Sequence, residues 1–289
     1  MTMVRVVPTY AAADGVLLHY DLLGSGTSGG CPIVVLAGGA ARHPGYLGDL
    51  AGLTFAHRLV MPHLRGVGRS PAPTLADKGS FWRQAADLES LRNHLGVERI
   101  VVVGHSAGTR LAIAYAVQYP QHVAGLLLIT PPATYLVDEP SDVDALLDAR
   151  RGEPEFDAAL VALSAGPAGT DDDSLNTWQQ LVAPAGYATW SAVERAHAQV
   201  GRWDRAAAEA FFSVDPPRDL ADRIGSVTAP VLVLAGAADC FTGVAPVLAL
   251  ADLFPNGDAV VLDRCGHYPW VEQPAAFRSA ADRFLDPFD

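Results

Sequence analysis

Ser106 stands at the centre of Gly104-His105-Ser106-Ala107-Gly108, which follows the apolar run Ile100-Val101-Val102-Val103 and precedes Leu111-Ala112-Ile113-Ala114-Tyr115-Ala116-Val117. A buried strand that passes into a helix through so short a turn strains the apex residue, and the flanking glycines leave room for it. The strain holds the Ser106 hydroxyl above the carboxyl end of a sheet, with the helix N-terminus directed at whatever it attacks. This is an arrangement for a nucleophile. A serine hydroxyl is weak until a base takes its proton, and an imidazole can take that proton near neutrality and return it to a leaving group. His267 lies just past the apolar run 259–262, and Asp239 just past the run 231–235. Strand ends are where function collects in open parallel sheets. His267 is therefore read as the base, and Asp239 as the carboxylate that fixes its tautomer and stabilises the imidazolium. The turn is expected to aim His105 away from the hydroxyl. Asp252, Asp258 and Asp263 lie in a helix, at the wrong end of a strand or too near the histidine.

An acyl-transfer site also needs two backbone N–H groups for the developing oxyanion. Ala107, after the nucleophile, supplies one, and Gly38 or Gly39 in Leu36-Ala37-Gly38-Gly39-Ala40-Ala41 supplies the other. A second match to the serine motif, Gly26-Thr27-Ser28-Gly29-Gly30, sits in a glycine-rich stretch with no strand before it and no helix after it. Its composition is that of a loop. No phosphate-loop or H-E-x-x-H pattern occurs, so no cofactor and no metal is expected.

The elements that must position these groups follow from periodicity. Strands are expected over 15–21, 32–37, 58–62, 99–103, 123–129, 229–235 and 258–262, with helices over 81–95, after Ser106, up to about 254 and over 274–285. Strands separated by helices imply parallel βαβ units with right-handed crossovers. Between about 133 and 225 buried strand runs vanish, and short helical stretches with Gly and Pro breaks take over. The expected organisation is a core formed by 1–132 and 226–289, with 133–225 inserted as a helical lid.

The chain has 289 residues, half of them hydrophobic, enough for a large single core. Its formal charge of −12 argues against nucleic acid or an anionic membrane surface as partner. Cys31, Cys240 and Cys265 are odd in number and widely spaced, which fits reduced thiols. No secretion signal or membrane span is read. A cytoplasmic enzyme acting on a small molecule or short peptide is the expectation, with the oligomeric state left open.

The order Ser106, Asp239, His267 resembles that of the α/β-hydrolase superfamily, and the likeness runs over nearly the whole chain. Within it the chain is similar to the proline iminopeptidase-like aminopeptidases, through Arg65-Gly66-Val67-Gly68-Arg69-Ser70, Asp87-Leu88-Glu89-Ser90-Leu91-Arg92-Asn93-His94-Leu95-Gly96 and Gly266-His267-Tyr268-Pro269-Trp270-Val271-Glu272. The resemblance implies an α/β-hydrolase fold, a mostly parallel sheet flanked by helices with an inserted helical lid. It also implies that Thr189-Trp190-Ser191-Ala192-Val193-Glu194 holds a substrate-binding segment, with Trp190 in the site. Glu194 would bind the substrate's free α-amino group, with Glu209 as a second such carboxylate. Departures occur at Ala37-Gly38-Gly39-Ala40-Ala41 for His-Gly-Gly-Pro-Gly, at His63-Leu64 for a strand-end aspartate, and at Ala107 for a tryptophan. The expected activity is release of an N-terminal residue from a peptide or aminoacylated small molecule; an esterase or thioesterase is the alternative, and a non-hydrolytic binding protein the remote one.

Overall fold

In the computed structural model, described here for residues 8–24 and 30–288, eight strands form one sheet. They are β1 (Thr9–Ala11), β2 (Leu17–Leu23), β3 (Ile33–Leu36), β4 (Leu59–Pro62), β5 (Ile100–His105), β6 (Val123–Ile129), β7 (Val231–Gly236) and β8 (Gly257–Leu262). Their order is β1-β2-β4-β3-β5-β6-β7-β8. Both pairings of β2 are antiparallel, and every pairing from β4 to β8 is parallel. The central strands β3, β5 and β6 are buried at every residue, as expected where both faces of a parallel sheet are covered. Alternate residues serve the two faces. Val34, Leu36 and Val102 join one core, and Ile33, Val35, Val101 and Val103 the other.

The first face is covered by α1 (Phe81–Leu95) and α2 (Gly108–Gln118), which bring Phe81, Leu88, Leu91 and Leu111 to it. Helix α1 starts where the Ser80 hydroxyl accepts from Arg83 N and stops at Gly96, whose φ of 70° no other residue adopts cheaply. Between β6 and β7 the regular elements are mostly short helices: α3 (Val143–Ala149), α4 (Pro154–Ala165), α5 (Asp172–Val182), α6 (Ala192–Ala198), α7 (Arg205–Phe211) and α8 (Leu220–Ile224). Then α9 (Ala245–Ala251) packs on the first face through Val247 and Leu250. After β8 come α10 (Pro269–Glu272) and α11 (Pro274–Leu285), and α11 covers the second face with Phe277 and Leu285. Between β3 and β4 the chain makes 3-10 turns and loops that pack Tyr46, Leu47, Leu50 and Leu53 on that same face. Among the described residues no helix is long and apolar enough to cross a membrane.

Candidate active site

Ser106 leaves β5 with φ at 49°, in the left-handed region that costs a non-glycine residue energy. The turn is held from both sides. Ser106 N donates to Ile129 O at 2.9 Å, and its carbonyl accepts from Thr109 N at 2.9 Å and Thr109 Oγ1 at 2.6 Å. A Cβ on Gly104 would lie 2.8 Å from Thr109 Cα, and one on Gly108 would lie 2.6 Å from the carbonyl oxygens of Leu36 and Ala37. The first glycine clears the start of α2; the second clears the end of β3, bringing the loop after β3 against the turn. Ser28 lies outside the described residues.

The Asp239 and His267 loops touch across a second pair of glycines, since a Cβ on Gly236 would overlap the Gly266 carbonyl. Asp239 is fully buried. Its Oδ2 accepts from His267 Nδ1 at 2.8 Å and from the Thr242 hydroxyl at 2.6 Å, while Oδ1 accepts from the backbone N of Phe241 and Thr242. A carboxylate so surrounded by donors stays put and leaves His267 with Nε2 as its free nitrogen. Glu272 holds the flanking backbone by accepting from Gly266 N, Tyr268 N and Ala188 N. Burial nevertheless pushes the Glu272 carboxyl up to about 7.

A buried relay joins the loop after β3 to the His267 loop. His105 Nε2 lies 2.9 Å from His267 O, a carbonyl that can only accept, so Nε2 carries the proton. Nδ1 therefore accepts from the Tyr46 hydroxyl at 2.7 Å, and that oxygen accepts from Gly38 N at 2.7 Å. Burial pushes the His105 imidazole well below its usual range, which keeps it neutral. Both ring nitrogens of His105 are thus taken up by Tyr46 and the His267 carbonyl and not by the Ser106 hydroxyl, and the side chain is a structural tie that also reaches the cavity wall. The relay also corrects the reading of Gly38. Its N–H is committed to Tyr46, whereas the N–H groups of Gly39 and Ala107 have no partner among the described residues.

Ser106, Gly39, His105 and His267 line one cavity of about 260 Å³, together with Arg42, Trp203 and others. Ser106 Oγ makes no hydrogen bond among the described residues, as is common for nucleophiles in unliganded sites. Trp190, Glu194 and Glu209 do not line this cavity. Glu194 caps its own helix, α6: Ser191 N donates to Glu194 Oε2 at 2.8 Å in a capping box with the Ser191 hydroxyl. Glu209 is exposed and pairs with Arg205 one turn away, at 3.0 Å. Trp190 packs on Tyr187, with ring centroids 5.4 Å apart. The expectation of an ammonium site between two glutamates is corrected accordingly. Burial pushes the Cys240 and Cys265 thiols up, so both stay protonated near neutrality. No group of three or more metal-ligating side chains occurs among the described residues.

A hydrolase-type sheet with a serine on its strand–helix elbow defines the class. The alpha/beta hydrolase fold family matches residues 32–274, and the chain belongs to that family. A 2-hydroxy-6-oxononadienedioate/2-hydroxy-6-oxononatrienedioate hydrolase of Paraburkholderia xenovorans (strain LB400) is 27% identical over 284 residues, 94% of this chain and 92% of that one. A proline iminopeptidase of Neisseria gonorrhoeae is 37% identical over 106 residues, which are 36% of this chain and 34% of the peptidase. Among solved structures, the esterase RhEst1 from Rhodococcus sp. ECU1013 shares the fold with a TM-score of 0.73 at 23% identity, covering 98% of this chain and 99% of its own. The sequence likeness to that peptidase covers about a third of the chain and the likeness to the dienedioate hydrolase nearly all of it, while a proline iminopeptidase of Mycobacterium smegmatis also shares the fold over 98% of the chain, with a TM-score of 0.71 at 22% identity.

Proposed function

We propose that the protein is a serine hydrolase that cleaves small esters through an acyl-enzyme. The observation that carries this reading is the shared cavity of Ser106 and His267, with Asp239 2.8 Å behind the imidazole. His267 Nε2 takes the proton of Ser106 Oγ as that oxygen bonds to the substrate's carbonyl carbon. Gly39 and Ala107 donate to the oxyanion, and α2 adds its positive end. As the intermediate collapses, His267 returns the proton to the departing alcohol; water then repeats the sequence to free the acid. Asp239 keeps Nδ1 protonated throughout. The scheme needs no cofactor. The helical insertion of residues 133–225 acts as a lid, supplying Gln179 and Trp203 to the cavity wall.

Labelling with a fluorophosphonate tests the nucleophile: the protein should react and the Ser106→Ala variant should not. Turnover in that variant should fall by roughly six orders of magnitude. Labelling of Ser106→Ala, or turnover within about tenfold of the parent, would overturn the assignment. The aminopeptidase reading requires a carboxylate facing the substrate ammonium, and no acidic side chain lines the cavity among the described residues. A parallel screen of 4-nitrophenyl esters, aminoacyl 4-nitroanilides and N-blocked anilides should favour the esters. A free-amine preference that is lost in Glu194→Gln would restore the peptidase.

A further inference from the structure

Arg42 is 2% exposed, yet no carboxylate among the described residues pairs with it. Buried charges are ordinarily paired. Its Nε and Nη2 donate to the carbonyls of Ala198, Val200 and Gly201, the chain emerging from α6. Nη1 has only Tyr268 Oη at 3.4 Å, longer than a good hydrogen bond. The guanidinium lies over two rings, its carbon 4.1 Å from the centroid of Tyr46 and 4.3 Å from that of Trp203. One donor group of this cation, Nη1, is therefore held at the cavity wall with a single long hydrogen bond, to Tyr268 Oη.

A second, independent observation points the same way. Trp203 is 7% exposed, and its Nε1 is buried without a hydrogen-bond partner. An indole N–H can only donate. A Cβ placed on Gly39 would lie 2.5 Å from that nitrogen, which sets the unused N–H beside the loop that holds the oxyanion donor. Arg42, Trp203 and Tyr268 all line the cavity, which at about 260 Å³ is small among ligand sites. We propose that these three residues form a subsite for a carboxylate carried by the substrate, so that the enzyme prefers the ester of a small dicarboxylic acid to a neutral ester. This deepens the serine-hydrolase reading and rests on it.

Arg42 also clamps the chain after α6 to the loop after β3, so Arg42→Gln can lose the fold as well as the charge. Trp203→Phe keeps the ring against Arg42 and removes only the N–H. The test compares kcat/KM for the mono-4-nitrophenyl ester of glutaric acid with that for 4-nitrophenyl butyrate, after subtraction of spontaneous hydrolysis. The parent should favour the glutarate ester by at least about tenfold, the scale of one hydrogen bond to a charged group. That ratio should fall about tenfold in Trp203→Phe and collapse in a folded Arg42→Gln. Calorimetry of glutarate with Ser106→Ala reads the subsite without catalysis, and should give saturable heat that Trp203→Phe weakens in the same background. A parent ratio near one, an unchanged ratio in Trp203→Phe, or no glutarate heat would overturn the subsite. Failure to hydrolyse either ester through Ser106 would overturn the hydrolase reading instead, with calorimetry still deciding the subsite.

Discussion

Replacing Tyr46 by phenylalanine removes one oxygen and strands two buried groups. Gly38 N and His105 Nδ1 each bond that oxygen at 2.7 Å, and the Tyr46 ring itself is buried and would stay in place. An orphaned buried donor or acceptor costs ~1–3 kcal/mol, so two cost ~2–6 kcal/mol. At ~2.1 cal/mol/K of unfolding entropy per residue, a 289-residue chain loses roughly 1.6 °C of melting temperature per kcal/mol, which puts the expected drop at or above ~3 °C. Catalysis should suffer too, because Tyr46 ties the Gly38-Gly39 loop to the Ser106 elbow through His105. Removing a well-placed oxyanion donor costs ~10²–10³ in kcat, and loosening one should cost about tenfold or more, with KM little changed. Differential scanning calorimetry and steady-state hydrolysis of 4-nitrophenyl butyrate read the two effects. A melting temperature within about 1 °C of the parent, with kcat within about twofold, would refute the relay.

Asp239→Asn should lower kcat on a neutral ester by roughly 10⁴ through loss of the correct His267 tautomer, with the fold retained; pre-steady-state kinetics showing a loss below about tenfold would exclude the pairing seen at 2.8 Å. Glu194→Gln should weaken the α6 cap by about 1 kcal/mol or less and change anilide and ester turnover alike, whereas an effect confined to free-amine substrates would place Glu194 in the site. Glu272 gives a pH signature. Its carboxyl lies near 7 in the folded chain against 4.5 unperturbed, so the folded state keeps the proton longer. Stability from this group is present below pH 4.5 and is lost as pH rises to about 7, by on the order of 3 kcal/mol. Urea unfolding of the parent and Glu272→Gln at pH 4.5 and 7.5 checks this, and parallel pH slopes for the two would refute it.

The positions of Ser106, Asp239 and His267 in the chain were legible because each follows the end of a strand, buried for β5 and β7 and largely exposed for the edge strand β8, and local sterics write strand ends into the sequence. Helix α1 over 81–95 and α11 over 274–285 match the bounds read from periodicity, since each shows an apolar stripe to the sheet and carries its own start signal. The Ser191-x-x-Glu194 spacing is itself a capping-box pattern, a local signal that outranked the likeness to a peptidase lid. What remained hidden depends on chain segments meeting in space. Nothing near Gly38 or Gly39 says which N–H is free; the answer is the Tyr46 hydroxyl arriving from a turn that pairs with His105 in β5. Arg42 reaches Val200 across 158 residues, and neither stretch alone shows that a buried cation and an unused indole N–H share one cavity wall. Sterics and periodicity act over a few residues and survive in the sequence, whereas satisfaction of buried polar groups is a property of the packed whole, and only the tertiary structure decided it.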